Sequence, residues 1–417
     1  MSPLRPSLES TSSTAFYESL SSVSSVRDSL PEQHRAHFET LRDEIIDFVE
    51  AHEIPRDALN KPDALREAAK KLSILDLTQL ATLLERFEYL LVHKEPREEI
   101  PEALEYVEKF YHLEKQYTSQ VELLEEVGVL ENGTILGIDG KRYPVPTLEQ
   151  IAIRLFERRE ELSTKHDQGF TKLLLVPFGM SLDSLRETLK QFLLKYKKDN
   201  PTFDLDTDKP LRIWEEGYQG ADMGDSPELV YYPQSFTKEG HGGKTKMEIL
   251  QTNYQLPTLK QSSFPGWTIH LLQPSNLESQ DTGTPTGFAP IPRQGQGTTQ
   301  GDKVSRPPLE AGQSPIEYLS ILQEAKDNED LPYHGESGLT PEDWIMAFML
   351  HLSETRQQLD NYANDIESST YLAGAFLHSS VGVPFAYWYY KFPHAYLGGF
   401  DPRNQDERFG TRFSVMV

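Results

Sequence analysis

Gly242-Gly243-Lys244-Thr245 ends like a phosphate-binding loop, whose glycine-rich turn offers backbone N–H groups to phosphate while its lysine reaches the outer oxygens. Such a loop needs a further glycine at position 238, where this chain has Lys238, so a solvent-exposed turn is expected instead. The twelve histidines are scattered, and none pairs with another across an intervening acid at the spacing by which a helix presents zinc ligands. His334 and His351 flank a capped helix, where lone histidines are usually structural or solvated. Glu125-Glu126 and Glu160-Glu161 fall at helix-surface positions, where carboxylates are solvated rather than poised for glycoside hydrolysis. There is no Gly-x-Ser-x-Gly elbow. With no cysteine there is no thiolate nucleophile, thiolate metal site or disulfide framework. No catalytic residue, metal site or cofactor is expected.

The chemistry that remains is recognition. Residues 371–417 hold twelve aromatics in 47 positions: Tyr371, Phe376, Phe385, Tyr387, Trp388, Tyr389, Tyr390, Phe392, Tyr396, Phe400, Phe409 and Phe413. Lys391, Arg403, Arg408 and Arg412 against Asp401, Asp406 and Glu407 give this stretch a net charge of +1, within a chain whose net charge is -24. A half-buried strand alternates apolar with polar residues, whereas Phe385–His394 places large aromatics at consecutive positions, on both faces. Either one face is a tyrosine-rich binding surface, or the strand lies inside a large aromatic core.

The elements that would carry this segment can be read from capping and periodicity. Residues 1–30 are Ser-rich and aperiodic and are expected to be disordered. From 31 to 130 the pattern is helical; Leu77, Leu80, Leu84, Phe87 and Leu91 form its clearest stripe, which packs inside a bundle or, alternatively, against a partner helix. Residues 131–204 read as a small mixed unit. It has a hairpin about Asp139-Gly140, a helix opened by the Thr147–Gln150 capping box, a buried strand Leu173–Val176 ending at Pro177-Phe178-Gly179, and a helix capped by Ser181. From 205 the texture turns to strands, interrupted by a Pro/Gly/Gln-rich loop or linker at 274–314. Ser314-Pro315-x-Glu317 and Thr340-Pro341-x-Asp343 then open helices, the second burying Trp344, Phe348, Leu352, Thr355 and Leu359 along one side. The fold class expected is α+β.

A charge of -24 disfavours nucleic acid and anionic membrane surfaces as partners. No run approaches the roughly twenty apolar residues that span a bilayer, and the first twenty-five residues lack the apolar core of a secretory signal. A cytoplasmic location is the default expectation.

Trp388-x6-Ala395-x-Leu397-x4-Pro402-x7-Gly410-x-Arg412, preceded by Val383-Pro384 and followed by a terminal strand, resembles the variable region of proteins diversified by retroelements, whose C-terminal domain has a C-type lectin-like fold. The stretch from Gly338-Leu339-Thr340-Pro341-Glu342 to the end is similar to bacterial members of that group. The resemblance implies a ligand-binding display protein, taking a protein or a glycan and needing no metal in its variable face. Mutagenic reverse transcription there alters codons containing adenine. The resemblance therefore implies that Tyr387, Tyr389, Tyr390, Phe392, His394, Tyr396, Phe400, Asp401, Asn404 and Asp406 contact ligand, while Trp388, Ala395, Leu397, Pro402, Gly410 and Arg412 are fixed scaffold. Phe413-Ser414 departs from the Pro or Ala expected after the arginine. Formylglycine-generating enzymes share the fold but depend on cysteine, absent here. The competing class is an assembly protein whose aromatic C-terminus docks permanently on a partner or on a second copy. The frame should be buried and the ten contact positions exposed.

Overall fold

The computed structural model describes residues 102–417 apart from 225, 256–263, 277–282 and 362–367; before these it describes Arg27, 30–52 and scattered positions from 54 to 94. All but two of the thirty leader positions therefore lie outside the described residues. The chain divides into two compact units, Met1–Ile100 and Pro101–Val417.

In the first unit, the helix Glu32–Ala51 starts behind Pro31 with an acid in its first turn, where the helix dipole favours negative charge. Its Phe38, Leu41, Ile45, Phe48 and Val49 are buried in one cluster with Leu80, Leu83, Phe87 and Leu90. Of the expected leucine stripe, Leu80 and Phe87 are buried, Leu84 and Leu91 are half-buried, and Leu77 lies outside the described residues.

The second unit is mixed α and β. Strands β1 (Thr134–Leu136) and β2 (Arg142–Pro144) form a hairpin whose turn uses Gly140 at φ +77°, a conformation open to glycine at little cost. A four-stranded antiparallel sheet has the order β3 (Lys172–Val176), β6 (Thr268–Leu272), β13 (Phe413–Met416), β7 (Glu336–Gly338). A five-stranded mixed sheet has the order β12 (Phe409–Thr411), β8 (Ser369–Tyr371), β10 (Val383–Tyr389), β11 (His394–Phe400), β4 (Leu211–Ile213). The short strands β5 (Leu229–Tyr231) and β9 (Ala375–Leu377) pair with each other. The free edge of β3 is covered by a helix. Gln116 and Gln120, one turn apart on Leu113–Glu126, donate to the carbonyls of Thr171 and Leu173 at 3.0 and 2.9 Å and accept from the amides of Leu173 and Leu175 at 2.9 and 2.8 Å. Two side chains thus stand in for a missing strand.

Thr340 and Asp343 close a capping box at the start of the helix Pro341–Thr355. Sequence periodicity assigned this helix one buried face, but every residue from Pro341 to Leu352 is buried: the helix runs through the core, so only its last turn reaches solvent. Thr355 is half-exposed and Leu359 lies beyond the helix.

One other expectation is corrected. Residues 131–204 are not a separate unit, and the boundary falls at Ile100/Pro101 rather than at 130 or 204. The reason is that β3 joins β6 and β13, so Leu173, Leu175, Ile269 and Val415 share one hydrophobic core. Of the loop and linker readings of 274–314, the described residues 283–314 fit the loop: they are irregular and packed on the unit. Phe288, Ile291, Arg306, Leu309 and Ala311 are buried, and the segment is tied down by Ser275 N to Thr286 O at 3.0 Å and Gly312 N to Phe409 O at 2.9 Å.

Candidate functional site: an aromatic sheet face

The antiparallel register of β10 and β11 sorts the consecutive aromatics. Trp388 lies opposite Ala395 and Ala386 opposite Leu397; these four point into the main core. Trp388 is 2% exposed and packs against Phe348 and Phe203 at ring-centroid distances of 5.7 and 5.5 Å. The small Ala395 leaves room for the indole.

The opposite face carries Phe385, Tyr387 and Tyr389 from β10, facing Gly398, Tyr396 and His394 of β11. Phe385 and Tyr387 stand 5.9 Å apart with planes 2° from parallel, and Tyr387 and Tyr396 stand 5.2 Å apart at 23°. Such offset stacks contribute about 0.5–1.5 kcal/mol each beyond area burial. Gly398 is required beneath them: a Cβ there would lie 2.4 Å from Phe385 Cζ and 2.7 Å from Tyr396 Cε1. The row continues through Phe400 and Phe409 to Tyr371, which contacts Tyr318 of the helix Pro315–Lys326 at 6.3 Å. At that end it is core: Tyr371, Phe385 and Phe409 are buried with Leu309, Tyr318 and Phe413. Burial also pushes the Tyr371 hydroxyl well above the ordinary tyrosine range. At the other end the row opens. Tyr387, Tyr389 and Tyr396 are half-buried, and at the β10–β11 turn Tyr390 is 43% and Phe392 59% exposed. One sheet face therefore grades from core to surface.

Of the ten positions expected at a ligand, Tyr390, Phe392 and Asn404 are exposed, and Tyr387, Tyr389, Tyr396, Phe400, Asp401 and Asp406 are half-exposed. His394 is the correction. At 2% exposure it is not an outward-facing contact, because it lies under Tyr389 at 5.4 Å and beside Tyr396 at 6.4 Å. Burial, then the nearby Arg212, holds its imidazole below the ordinary histidine range.

The loop 401–408 is stiffened by two arginine forks. Arg403 and Arg408 each bind, with Nε and Nη2, both oxygens of the carboxylate two residues earlier, Asp401 and Asp406, at 2.8–3.1 Å. Each guanidinium holds its carboxyl below the ordinary carboxylate range. Pro402 is buried, and its carbonyl accepts Ile316 N at 3.2 Å. Gly410 permits close approach of the 289–311 segment, since a Cβ there would meet Ile291 Cγ2 at 2.4 Å.

Arg412, 9% exposed, forms a bidentate pair with Asp360 at 3.0 and 2.7 Å and donates from Nε to Ala289 O at 3.0 Å. Asp360 also accepts Trp344 Nε1 at 2.9 Å, and its carbonyl accepts Trp388 N at 3.2 Å. The sequence marked Arg412 but not its partner, because a lone Asp at position 360 carries no local signal. Arg212, the β4 neighbour of Tyr396, was also missed as a site residue; the register of a parallel strand from nearly two hundred residues away is not visible in one sequence.

Two buried polar clusters carry chemistry-bearing groups. His270 Nδ1 lies 2.9 Å from Ser414 Oγ, and His270 Nε2 lies 3.2 Å from Asp343 Oδ1. The order matches a nucleophile relay, but Ser414, His270 and Asp343 are all 0% exposed, where no substrate from solvent meets them. The contacts bind β6 and β13 to the start of the helix Pro341–Thr355. Nearby, Lys246 Nζ contacts Asp222 at 2.5 Å and Glu342 at 2.8 Å, and Tyr231 donates to Glu342 at 2.6 Å, all fully buried side chains. Burial pulls the Lys246 ammonium down, but Glu342 and Asp222 outweigh it and hold the group above its usual range. Among the described residues no three His, Asp or Glu side chains converge as a metal site.

No protein-family model matches the chain, and neither the curated proteins nor the solved structures compared with it contain a match. The class defined by the structure is a mixed α+β protein with an aromatic sheet face graded from core to surface.

Proposed function

We propose that this is a ligand-binding protein whose contact surface is the open end of the aromatic face, built on a C-type lectin-like C-terminal domain of the kind diversified by retroelements. The observation that carries the proposal is the division of one aromatic run. Trp388, Ala395, Leu397, Pro402, Gly410 and Arg412 are buried, while Tyr387, Tyr389, Tyr390, Phe392 and Tyr396 form a contiguous, partly exposed row. Rigid tyrosines on a strand pair lose little conformational entropy on binding. Phe400 joins the row to the core, and Asp401, Asn404 and Asp406 follow it in the loop at that end, away from the β10–β11 turn. Binding without covalent chemistry is the activity that suits this surface.

The assembly alternative draws on the same exposed rings, since Tyr390 and Phe392 are large apolar side chains facing solvent. Both readings are tested by probing arrays of peptides and glycans with the labelled full chain and with the Tyr389→Ala/Phe392→Ala variant, alongside sedimentation of each. Capture of defined probes by the wild type and not by the variant supports ligand binding. Self-association lost in the variant, with no probe captured, supports assembly and overturns the display reading.

A further inference from the structure

We infer that Lys246 and Asp222 become joined by an intramolecular isopeptide bond, formed inside the folded chain with Glu342 as the proton carrier.

The reacting groups are already in contact. Lys246 Nζ lies 2.5 Å from Asp222 Oδ2 and 2.8 Å from Glu342 Oε1, and it donates to Met180 O at 2.7 Å. The three side chains are 0% exposed, and the rings of Phe178 and Tyr231 are centred 5.2 and 5.6 Å from Nζ. No substrate from solvent reaches such a site, but a carboxyl of the same chain is in place. Reactants held in contact act at effective molarities of about 10⁵–10⁸ M, and the apolar wall keeps out the water that would reverse a condensation.

As a salt bridge the cluster is poorly satisfied. One cation faces two carboxylates, and neither Asp222 Oδ1 nor Glu342 Oε2 has a hydrogen-bond partner among the described residues. A buried ion pair offsets its desolvation only when its remaining lone pairs are also hydrogen-bonded. Condensation replaces the Lys246–Asp222 charge pair with a neutral amide.

The reaction balances without a co-reactant. One proton moves along the 2.5 Å contact from Nζ to Asp222 Oδ2, leaving an amine and a carboxylic acid. The Nζ lone pair attacks Asp222 Cγ. Glu342 Oε1 takes a proton from Nζ as the C–N bond forms and passes it to the Oδ2 hydroxyl, which leaves as water. Tyr231 holds Glu342 Oε1 with a hydrogen bond of 2.6 Å, and Leu182 N holds Asp222 Oδ2 at 2.8 Å. Burial disfavours the ammonium, but the two carboxylates outweigh it, so the amine is a minor form; a bond made once per chain needs no more. Asp222 is the acyl partner because it lies in a turn, whereas Glu342 is fixed at the start of the core helix Pro341–Thr355. The product closes a loop between residues 24 apart and constrains the unfolded chain as a disulfide would, in a protein with no cysteine.

The test is mass spectrometry of the full chain, intact and after trypsin, at intervals following cell-free synthesis. The wild type is expected to end lighter than its sequence by one water, with peptide 213–238 joined to peptide 245–260 through an uncut Lys246. Lys246→Arg, which keeps the charge, should retain the full sequence mass. Glu342→Gln, which keeps the shape and can still accept from Tyr231, should link about a hundredfold or more slowly, the scale of general acid–base catalysis, while circular dichroism shows it folded. The wild-type mass decides even if a variant fails to fold. A wild type at full sequence mass, a water lost elsewhere, as from Asp139-Gly140, or a link from Lys246 to Glu342 overturns the inference. Linking of Glu342→Gln at the wild-type rate overturns the part given to Glu342.

Discussion

Arg412 and Asp360 form a bidentate ion pair, at 3.0 and 2.7 Å, that ties the last strands of the chain to the backbone under the aromatic sheet. Asp360 sits at φ +59°, a left-handed conformation held here because its carboxylate binds Arg412 and Trp344 while its carbonyl takes Trp388 N. Removing one member of such a pair strands a buried charge. Arg412→Ala is expected to destabilise the second unit by about 3–5 kcal/mol, and Arg412→Lys to recover only part of that, since an ammonium cannot fork. Urea unfolding followed by tryptophan fluorescence measures it; a loss under about 1 kcal/mol for Arg412→Ala would contradict the role given to the pair.

The gradient along the aromatic face predicts opposite outcomes for neighbouring rings. Phe385→Ala, at the buried end, should cost about 3–5 kcal/mol as a core truncation. Phe392→Ala, at 59% exposure, should stay within about 0.5 kcal/mol. Equal losses at both positions would mean that the row is uniformly structural.

A pH dependence follows from His351. It accepts Phe288 N through Nδ1 at 3.0 Å, and burial, with Arg412 and Lys172 nearby, lowers its pKa to about 3. The folded state holds it neutral, whereas the unfolded chain takes up a proton below an ordinary pKa of about 6.5. Its contribution is therefore full above about pH 6.5 and falls as pH drops toward 3, with a slope approaching about 1.4 kcal/mol per pH unit. Between pH 6.5 and 5 most carboxylates are still ionised, so the slope there comes from buried histidines, His166 and His394 as well as His351. His351→Gln should reduce that slope without abolishing it, and an unchanged slope would remove His351 as a source.

Gly374 packs so closely on Gly338 that a Cβ would lie 2.2 Å from the Gly338 carbonyl oxygen. Both partners are backbone, so neither can rotate away. Gly374→Ala should cost on the order of 3 kcal/mol or more through overpacking, read as a fall in thermal midpoint; a shift of under a degree would contradict that contact.

Much of the fold was legible where the signal is local. Thr147, Ser181, Ser314 and Thr340 each cap the helix they precede, because a cap is written within four residues. Trp388 and its alternating neighbours partition across the sheet as consecutive aromatics in a strand must. What sequence could not give is long-range pairing. Arg212 beside Tyr396, Asp360 beneath Arg412, and β3 joined to β6 each depend on register between distant segments. His394 was misplaced for the same reason: its residue type suited a contact surface, but its pairing with Tyr389 turned it beneath that ring.

The central claim is that a ligand is held by the open end of the aromatic row. The most direct measurement is the dissociation constant of a captured array ligand for the wild type and for Tyr389→Ala/Phe392→Ala, with unfolding of both recorded in parallel. The predicted result is a weakening of about a hundredfold, the scale of an aromatic hot spot, at nearly unchanged stability. An affinity altered by less than about twofold, against that scale for interface aromatics, would contradict the account and place the ligand elsewhere on the molecule.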